Sequence, residues 1–452
     1  MGARLSPIKN DQAFIATTIT ALVLLSIDYC ISSSIDTLKE QVSTLLGWLL
    51  FIAMIAVSIC AQYMILTRII SNAKLMRSTS SHILLLKVAI LAPLVIFSSL
   101  LVSILVESFL QGGYYTSILS AIVIGAYAMD SVIMGILTHR LAVWFRVRKS
   151  LVVILYASAA GAFTFNAIVS PILFQITLAD KPLVFTSNSD VVFNLTCKPD
   201  SFMCWIISAQ TYSMYAYFLL MWSGSIILLS TNIRRIGHAK FWILTSVPLI
   251  VFYLVYISAY NELYQIGSAI SSNKTDLLMM TMIVGLTILC GILYGLGFLS
   301  IRRLIKNASK HVAESMAIAA YGIISYFIVA NSTIVAAGYP PFGIVSIAFV
   351  PIAAILLYLG LHYSAVSVAH DARLRREVRS SIIRKTQLLD DMGTAEMQRE
   401  MEKHVIKIFK EKSEIMENES GIPASLSEED IKDFLSEVMS EMQKTRADSK
   451  DG

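Results

Sequence analysis

Ten stretches of about twenty mostly apolar residues recur along the chain and constrain its fold more than any other feature. A bilayer core about 30 Å thick needs roughly that many helical residues, at about 1.5 Å rise each. The predicted spans lie near 13–33, 44–67, 88–110, 116–138, 150–178, 205–230, 241–259, 278–300, 316–336 and 344–366. The sequence therefore predicts an all-α polytopic membrane protein, with about ten transmembrane helices in residues 1–366 and a short helical cytoplasmic tail in 367–452.

The charged residues are distributed unevenly along the chain. It carries 36 Lys and Arg and 31 Asp and Glu, of which the 86 tail residues hold 15 and 19. Soluble domains usually contain about 25% charged residues. This chain contains 15% and is 56% hydrophobic. These figures exclude a soluble enzyme, a nucleic-acid-binding domain and a disordered chain, so the lipid bilayer is the first predicted partner.

The positions of Lys and Arg predict the orientation, because cytoplasmic loops of membrane proteins are enriched in these residues. With the N-terminus inside, the predicted cytoplasmic segments before the tail contain 17 basic residues, and none falls within a span. The predicted outer segments contain four: Lys39, Lys181, Lys198 and Lys274. The sequence thus predicts a multi-pass protein of the cell membrane with both termini cytoplasmic.

Two carboxylates within the spans are candidate ion or ligand sites. Asp130 lies in the fourth predicted span and Asp28 in the first, and no Lys or Arg within a span would neutralise them. Ionisable groups at membrane depth are costly and often functional. Asp130 would couple ion movement in a transporter or respond to pH in a sensor. The alternative is a protonated carboxyl hydrogen-bonded to a neighbouring helix.

Aromatic residues cluster toward the outer ends of the sixth and seventh predicted spans. One interpretation is an interfacial belt, since Tyr and Trp sit well at headgroup level. The other is an outward-facing pocket that would bind an apolar or cationic ligand through ring faces. Trp222 and Tyr253 lie deeper than the headgroups and are the candidate ligand-binding residues.

Two of the five cysteines share the predicted outer loop 179–204. Cys197 and Cys204 would form a disulfide there in an oxidising compartment, and two free thiols are the alternative. Two cysteines with six residues between them make no zinc site by themselves. No metal site is predicted.

Two features of the tail predict contacts. Four basic residues follow the last span and would attract anionic headgroups of the inner leaflet, with topological anchoring as the alternative: Arg373, Arg375, Arg376 and Arg379. Farther along, apolar residues share one helical face: Met397, Met401, Val405, Ile408 and Ile415. That face would pack on a second tail helix, on a second copy of the chain or on a cytoplasmic partner protein.

No catalytic motif occurs in the sequence. It contains no Walker-type phosphate loop, no HExxH, no pair of CxxC motifs and no GxSxG. The seven histidines are scattered along the chain. We therefore predict neither enzymatic activity nor a cofactor.

Three motifs in the last quarter of the chain carry a resemblance. They are Tyr339-Pro340-Pro341-Phe342-Gly343, Ser367-Val368-Ala369-His370-Asp371 and Ser425-Leu426-Ser427-Glu428-Glu429-Asp430-Ile431. With them the chain resembles a group of uncharacterised archaeal multi-pass membrane proteins, and that resemblance implies no known activity. The layout is also loosely similar to membrane input modules of sensor proteins, in which a final span leads into a signalling helix.

Two functions remain open at the level of sequence. The first is a membrane sensor or transducer, in which the tenth span and a helix over 367–391 pass a change to a partner-docking tail. The second is a secondary transporter or channel that uses the intramembrane carboxylates Asp130 and Asp28.

Overall fold

The computed structural model describes most of the chain. The described residues are 7–33, 44–75, 80–179, 183–186, 202–230, 233, 237–265, 273–306, 309–330, 339–370 and 387–420.

The described residues form eleven long helices and two short strands. The helices are α1 (Pro7–Ser33), α2 (Leu45–Leu75), α3 (Ser80–Gln111), α4 (Thr116–Val147), α5 (Leu151–Leu178), α6 (Phe202–Ser230), α7 (His238–Gln265), α8 (Asn273–Ile305), α9 (Lys310–Ala330), α10 (Ile344–His370) and α11 (Gln387–Ser420). The strands are β1 (Gly113–Tyr115) and β2 (Val184–Thr186).

Each of the helices α1 to α10 overlaps one of the ten predicted spans. Eight of them are long and apolar enough to cross a membrane by length and composition, namely α2 to α6 and α8 to α10. Within the described residues, α1 and α7 have shorter apolar parts, Thr18–Ser32 and His238–Tyr253. The prediction of an all-α polytopic membrane protein is confirmed.

Helices α9 and α10 form the centre of the bundle. In their apolar parts 83% and 94% of the residues are buried, against 33–61% in the other six spans. Two glycines allow the close approach: a Cβ on Gly322 would lie 2.5 Å from the Leu357 nitrogen, and one on Gly360 would lie 2.4 Å from the Ala319 nitrogen. Small residues let helix backbones approach closely in membranes, where van der Waals packing holds helices together.

A two-stranded ribbon marks one end of the bundle. Strand β1 pairs antiparallel with β2, with Tyr114 opposite Phe185. Both rings are buried and stack with their centroids 5.7 Å apart. We call this end the ribbon face, because β1 leads directly into α4 there. Two strands of three residues each were not predicted from the sequence.

The last described helix, α11, packs at the opposite end of the bundle. It contacts α4, α5 and α10, and we call this end the tail face. Leu388, Leu389 and Met392 of α11 are fully buried. A Cβ on Gly393 would lie 2.4 Å from the Val368 side chain of α10, so the two helices touch closely. The predicted continuation of the tenth span through 371–386 lies outside the described residues.

The glycine contact between α9 and α10 predicts a stability effect. In Gly360→Ala the added methyl would meet the α9 backbone, which cannot move aside. We expect the free energy of unfolding to fall by about 1–3 kcal/mol, as overpacked cores do. Unfolding of the purified protein in detergent measures this. Gly285→Ala in α8 is the matched control, because a Cβ there meets nothing within 4 Å. Equal stability of the two variants would contradict the prediction.

Candidate functional site

Asp130 is buried in the middle of α4. Its residue is 1% exposed. The Tyr326 hydroxyl of α9 donates a hydrogen bond to Oδ2 at 2.9 Å. Its other oxygen, Oδ1, has no hydrogen-bond partner among the described residues. A buried carboxyl oxygen without a donor is costly and calls for a physical explanation.

Polar side chains extend from Asp130 toward the ribbon face. One turn earlier on α4, Tyr127 interacts with Asp130 and with Ser170 of α5. The Ser170 hydroxyl donates to Asn166 at 3.3 Å and accepts from Gln210 of α6 at 3.1 Å. The Asn166 amide nitrogen has no hydrogen-bond partner among the described residues. A second unpaired polar atom therefore lies near Asp130.

A further pair continues this row to the ribbon-face ends of α4 and α5. There the Gln175 amide donates to the Ser120 hydroxyl in an exposed contact. Ser120 precedes Tyr127 by seven residues and so lies on the same side of α4. We call this row the polar column, and its members are Tyr127, Asn166, Ser170, Gln210, Gln175 and Ser120.

The surroundings of Asp130 are apolar in the opposite direction. Met134, Leu137 and Leu141 follow it along α4 and are each at most 2% exposed. They line a small cavity together with Phe163 of α5 and Leu357 of α10, among others. We call these five residues the apolar layer. On the buried face of α4, Asp130 thus lies between the polar column and the apolar layer, and a half-buried Thr138–Thr164 hydrogen bond lies beside that layer.

Glu396 connects α11 to the tail-face end of α4. The Trp144 indole nitrogen donates to its Oε2 at 2.7 Å, and the Arg140 guanidinium lies 3.2 Å from Oε1. Glu396 is 5% exposed. Both oxygens have donors and one donor is a cation, so the negative charge of this buried carboxylate is compensated.

A second, more exposed set of ionic contacts reinforces this attachment. Arg148 lies 3.8 Å from both Asp390 and Asp391 at the start of α11. We call the whole set the tail latch: Arg140, Trp144, Arg148, Asp390, Asp391 and Glu396.

The tail latch was not predicted from the sequence. The apolar residues Leu137, Leu141 and Trp144 follow one another at helical spacing, so α4 continues nine residues beyond the predicted span end at 138. That extension carries the basic residues to α11. A cluster of acidic residues early in α11 was the available signal, but nothing in a one-dimensional pattern pairs groups about 250 residues apart.

Asp28, the other predicted carboxylate site, caps a helix instead of facing open space. Its Oδ1 accepts the Gly343 N–H at 2.7 Å, and its Oδ2 accepts the Ser346 N–H at 2.9 Å and hydroxyl at 2.7 Å. These groups form the start of α10, whose first N–H groups lack partners within the helix. An anion there also suits the helix dipole. An ion-binding role for Asp28 stays a prediction.

The structure does not bring Trp222 and Tyr253 together. Trp222 of α6 is partly buried and donates its indole N–H to the Thr245 carbonyl of α7 at 2.8 Å. Tyr253 lies eight residues farther along α7, about 12 Å away in helical rise, and is 64% exposed. Their predicted role in a shared ligand pocket stays a prediction.

Several predicted residues fall in parts of the chain that the structure does not describe. Cys204 is disulfide-bonded, whereas Cys197 lies outside the described residues, so their pairing stays a prediction. The predicted lipid-contacting residues also lie outside them: Arg373, Arg375, Arg376 and Arg379.

Part of the predicted apolar face of the tail is open. Met401, Val405 and Ile408 of α11 are 47%, 38% and 44% exposed. We call these three residues the apolar stripe. They follow the residues of α11 that are buried against the bundle, so one helix is docked in its first part and uncovered beyond it.

Comparisons with known proteins found no match to this chain. No family model matches the chain, and neither a curated protein nor a solved structure does. The resemblance to archaeal multi-pass membrane proteins and to sensor input modules therefore stays a prediction. Among the described side chains, no group of three or more His, Cys, Asp or Glu could hold a metal ion.

The capping contact of Asp28 predicts a stability effect. Asp28→Ala leaves the buried N–H groups of Gly343 and Ser346 without an acceptor. We expect the free energy of unfolding to fall by at least about 2 kcal/mol, since each unsatisfied buried group costs about 1–3 kcal/mol. Glu107→Ala is the control, because Glu107 accepts a single backbone N–H from Tyr115 in an exposed contact. Equal losses in detergent unfolding would contradict the capping role.

Proposed function

We propose that the protein is an integral membrane transducer, in which a change around Asp130 alters the docking of α11. One observation carries this proposal: a single unbroken helix, α4, holds both Asp130 and the tail-latch residues Arg140 and Trp144. Fourteen residues separate Asp130 from Trp144, or about 21 Å of helix. A shift or rotation of α4 at Asp130 would move the latch directly.

A second route connects Asp130 with the tail face, through its hydrogen-bond partner Tyr326. Tyr326 lies on α9, which is packed closely against α10 through Gly322 and Gly360. The last turns of α10 in turn contact α11, where Val368 meets Gly393. Both sides of the Asp130–Tyr326 bond therefore lie on helices that reach the tail face, and packed helices transmit small shifts as units.

The output of such a transducer would be the apolar stripe. Exposed Lys403 and Lys407 lie beside it on the helix surface, and Lys407 pairs with Glu411. The occupant we propose is a cytoplasmic protein with an apolar groove, in which α11 would insert the stripe as an amphipathic helix. Loosening of the tail latch would change how accessible this part of α11 is to that protein.

The proposed orientation places the tail face in the cytoplasm of the cell. Most basic residues outside the spans belong to segments on that side by the charge pattern, and the tail adds 15 more. Asp28, near the end of α1, binds the start of α10, so α1 begins on the same side as α11. The arginines after α10 would contact anionic headgroups there.

Hydrogen exchange of the full-length protein in lipid nanodiscs tests the transducer. Tyr326→Phe removes one hydrogen bond, worth about 0.5–1.5 kcal/mol. We expect amide exchange in 387–400 to rise about three- to tenfold as the latch opens more often. Tyr63→Phe is the matched control, since that ring is exposed on α2.

A direct break of the latch calibrates this experiment. Glu396→Gln should accelerate exchange in 387–400 by itself, whereas Glu411→Gln, which removes an exposed ion pair with Lys407, should not. If Glu396→Gln frees the tail and Tyr326→Phe leaves it unchanged, Asp130 and the tail are not coupled and the proposal fails.

A secondary transporter is the second candidate function. The polar column on one side of Asp130 and the apolar layer on the other favour it, because transporters open one side of a central site at a time. In proteoliposomes, substrate-driven proton uptake by the wild-type protein that disappears in Asp130→Asn would support transport. Ser131→Ala, at a neighbouring half-buried position on α4 whose hydroxyl donates to the Ala128 carbonyl, should keep the uptake.

A further inference from the structure

We infer that Asp130 is a proton-binding site that exchanges its proton with the ribbon side of the membrane through the polar column. This inference rests on the proposed transducer function and names its signal as the proton concentration on that side. In the proposed orientation the ribbon side is the cell exterior. The step is uptake of one proton from water by the carboxylate, which becomes a neutral carboxylic acid.

The immediate surroundings of Asp130 favour the protonated, neutral form of its carboxyl group. Tyrosines are the titratable groups that interact with it among the described residues: Tyr127 on α4 and Tyr326 on α9, with Tyr217 of α6 behind Tyr326. All three are neutral at ordinary pH, so none compensates a carboxylate charge. An isolated buried charge costs far more than one unpaired hydroxyl.

Charged groups on the helices packed against α4 lie near the two ends of the bundle. On α3, Glu107 accepts the Tyr115 N–H at the ribbon face. On α10, His362 interacts with Arg140, Glu396 and Arg399 near the tail face. Asp390, Asp391 and Glu396 of α11 belong to the tail latch. The described side chains of α5 near Asp130, Ser170 and Asn166, carry no charge.

The polar column supplies short steps toward the ribbon face. Ser170 and Gln210 are hydrogen-bonded eight residues from the ribbon-face ends of α5 and α6, about 12 Å in helical rise. The exposed Gln175–Ser120 pair lies nearer that end. Hydroxyl and amide groups can hold water molecules that carry a proton between them. The unpaired Asn166 amide nitrogen is a donor already positioned for such a water.

Toward the tail face, one described side-chain hydrogen bond joins α4 and α5, between the Thr138 and Thr164 hydroxyls at 3.5 Å. From Asp130 to Arg140 the helix rises about 15 Å, and the apolar layer fills that distance with buried Met134, Leu137 and Leu141. The Thr138 hydroxyl donates to the Met134 carbonyl and is half-buried, so the fully buried face of this part of α4 offers no hydrogen-bonding side chain to a proton or a water chain. Exchange with the tail side is therefore blocked while the latch is closed.

The direction of the response follows from these contacts. At low pH on the ribbon side Asp130 is neutral, the close packing around it is stable, and the latch stays closed. At high pH the carboxylate loses its proton and draws water into the polar column, which separates α4 from α9. The tail latch then opens, so the docked state is favoured by acid and lost as pH rises.

Infrared spectroscopy of proteoliposomes with one predominant orientation tests the site and its access. The carbonyl stretch of a protonated carboxyl group reports Asp130 directly, and Asp130→Asn identifies its band by removing it. Protease cleavage of the tail establishes the orientation. We expect the band to decrease when pH is raised on the ribbon side and to stay constant when pH is raised on the tail side. A band that follows the tail side, or neither side, overturns the inference.

Two matched serine variants test the polar column. Ser170→Ala should slow the response of the band to ribbon-side pH by at least about tenfold, since it removes a positioned group from the proton path. Ser225→Ala is the control, because Ser225 is equally buried but contacts Tyr156 outside the column. Equal rates in the two variants would overturn the assignment of the path.

Hydrogen exchange separates failure of this inference from failure of the proposed function. A band that follows ribbon-side pH without a change of exchange in 387–400 keeps the proton site but rejects the transducer. A tail that responds to Tyr326→Phe but not to ribbon-side pH keeps the transducer and rejects the proton as its signal. If both are correct, raising ribbon-side pH accelerates exchange in 387–400, and Asp130→Asn abolishes this dependence.

Discussion

The bilayer core contains no water to hydrogen-bond polar groups, so each polar atom inside the bundle depends on a partner from the chain. Most of the described intramembrane contacts obey this constraint. Asp28 accepts a hydrogen bond from the backbone N–H at the start of α10, and Trp222 donates one to a backbone carbonyl. Asp130 and Asn166 depart from it, because each leaves one buried polar atom without a partner, as do Gln62 of α2 and Ser98 of α3. Asp130 is the carboxylic acid among these four residues, and its ionisable group singles out the candidate site.

The packing of the bundle determines how that site can communicate. Helices α9 and α10 meet backbone to backbone through glycines, so they move together more readily than apart. Helix α4 extends past the predicted end of its span and binds α11 through Trp144, Arg140 and Arg148. In the transducer that we propose, a local change at Asp130 would reach the tail face through these packed helices. The apolar stripe would be the uncovered surface for the proposed partner.

The spans could be predicted from the sequence because length and hydropathy alone determine which helices suit a bilayer. The apolar face of the tail was also visible, and its residues Met401, Val405 and Ile408 prove to be uncovered. Asp130 was a candidate because a buried charge is costly, and the structure shows that it is buried. What the sequence could not show was the partner of each group: Tyr326 lies 196 residues from Asp130, and Glu396 lies 252 residues from Trp144.

By itself, the sequence determined that the chain folds as apolar helices through a bilayer, because local hydropathy and helical rise need no knowledge of neighbours. Only the tertiary structure decided which helices are central, that Asp28 caps α10, and that the polar side chains of α4, α5 and α6 form one column on one side of Asp130. These depend on how helices rotate about their axes and meet. Small residues such as Gly322 and Gly360 govern that rotation through contacts made across the bundle, not along the chain.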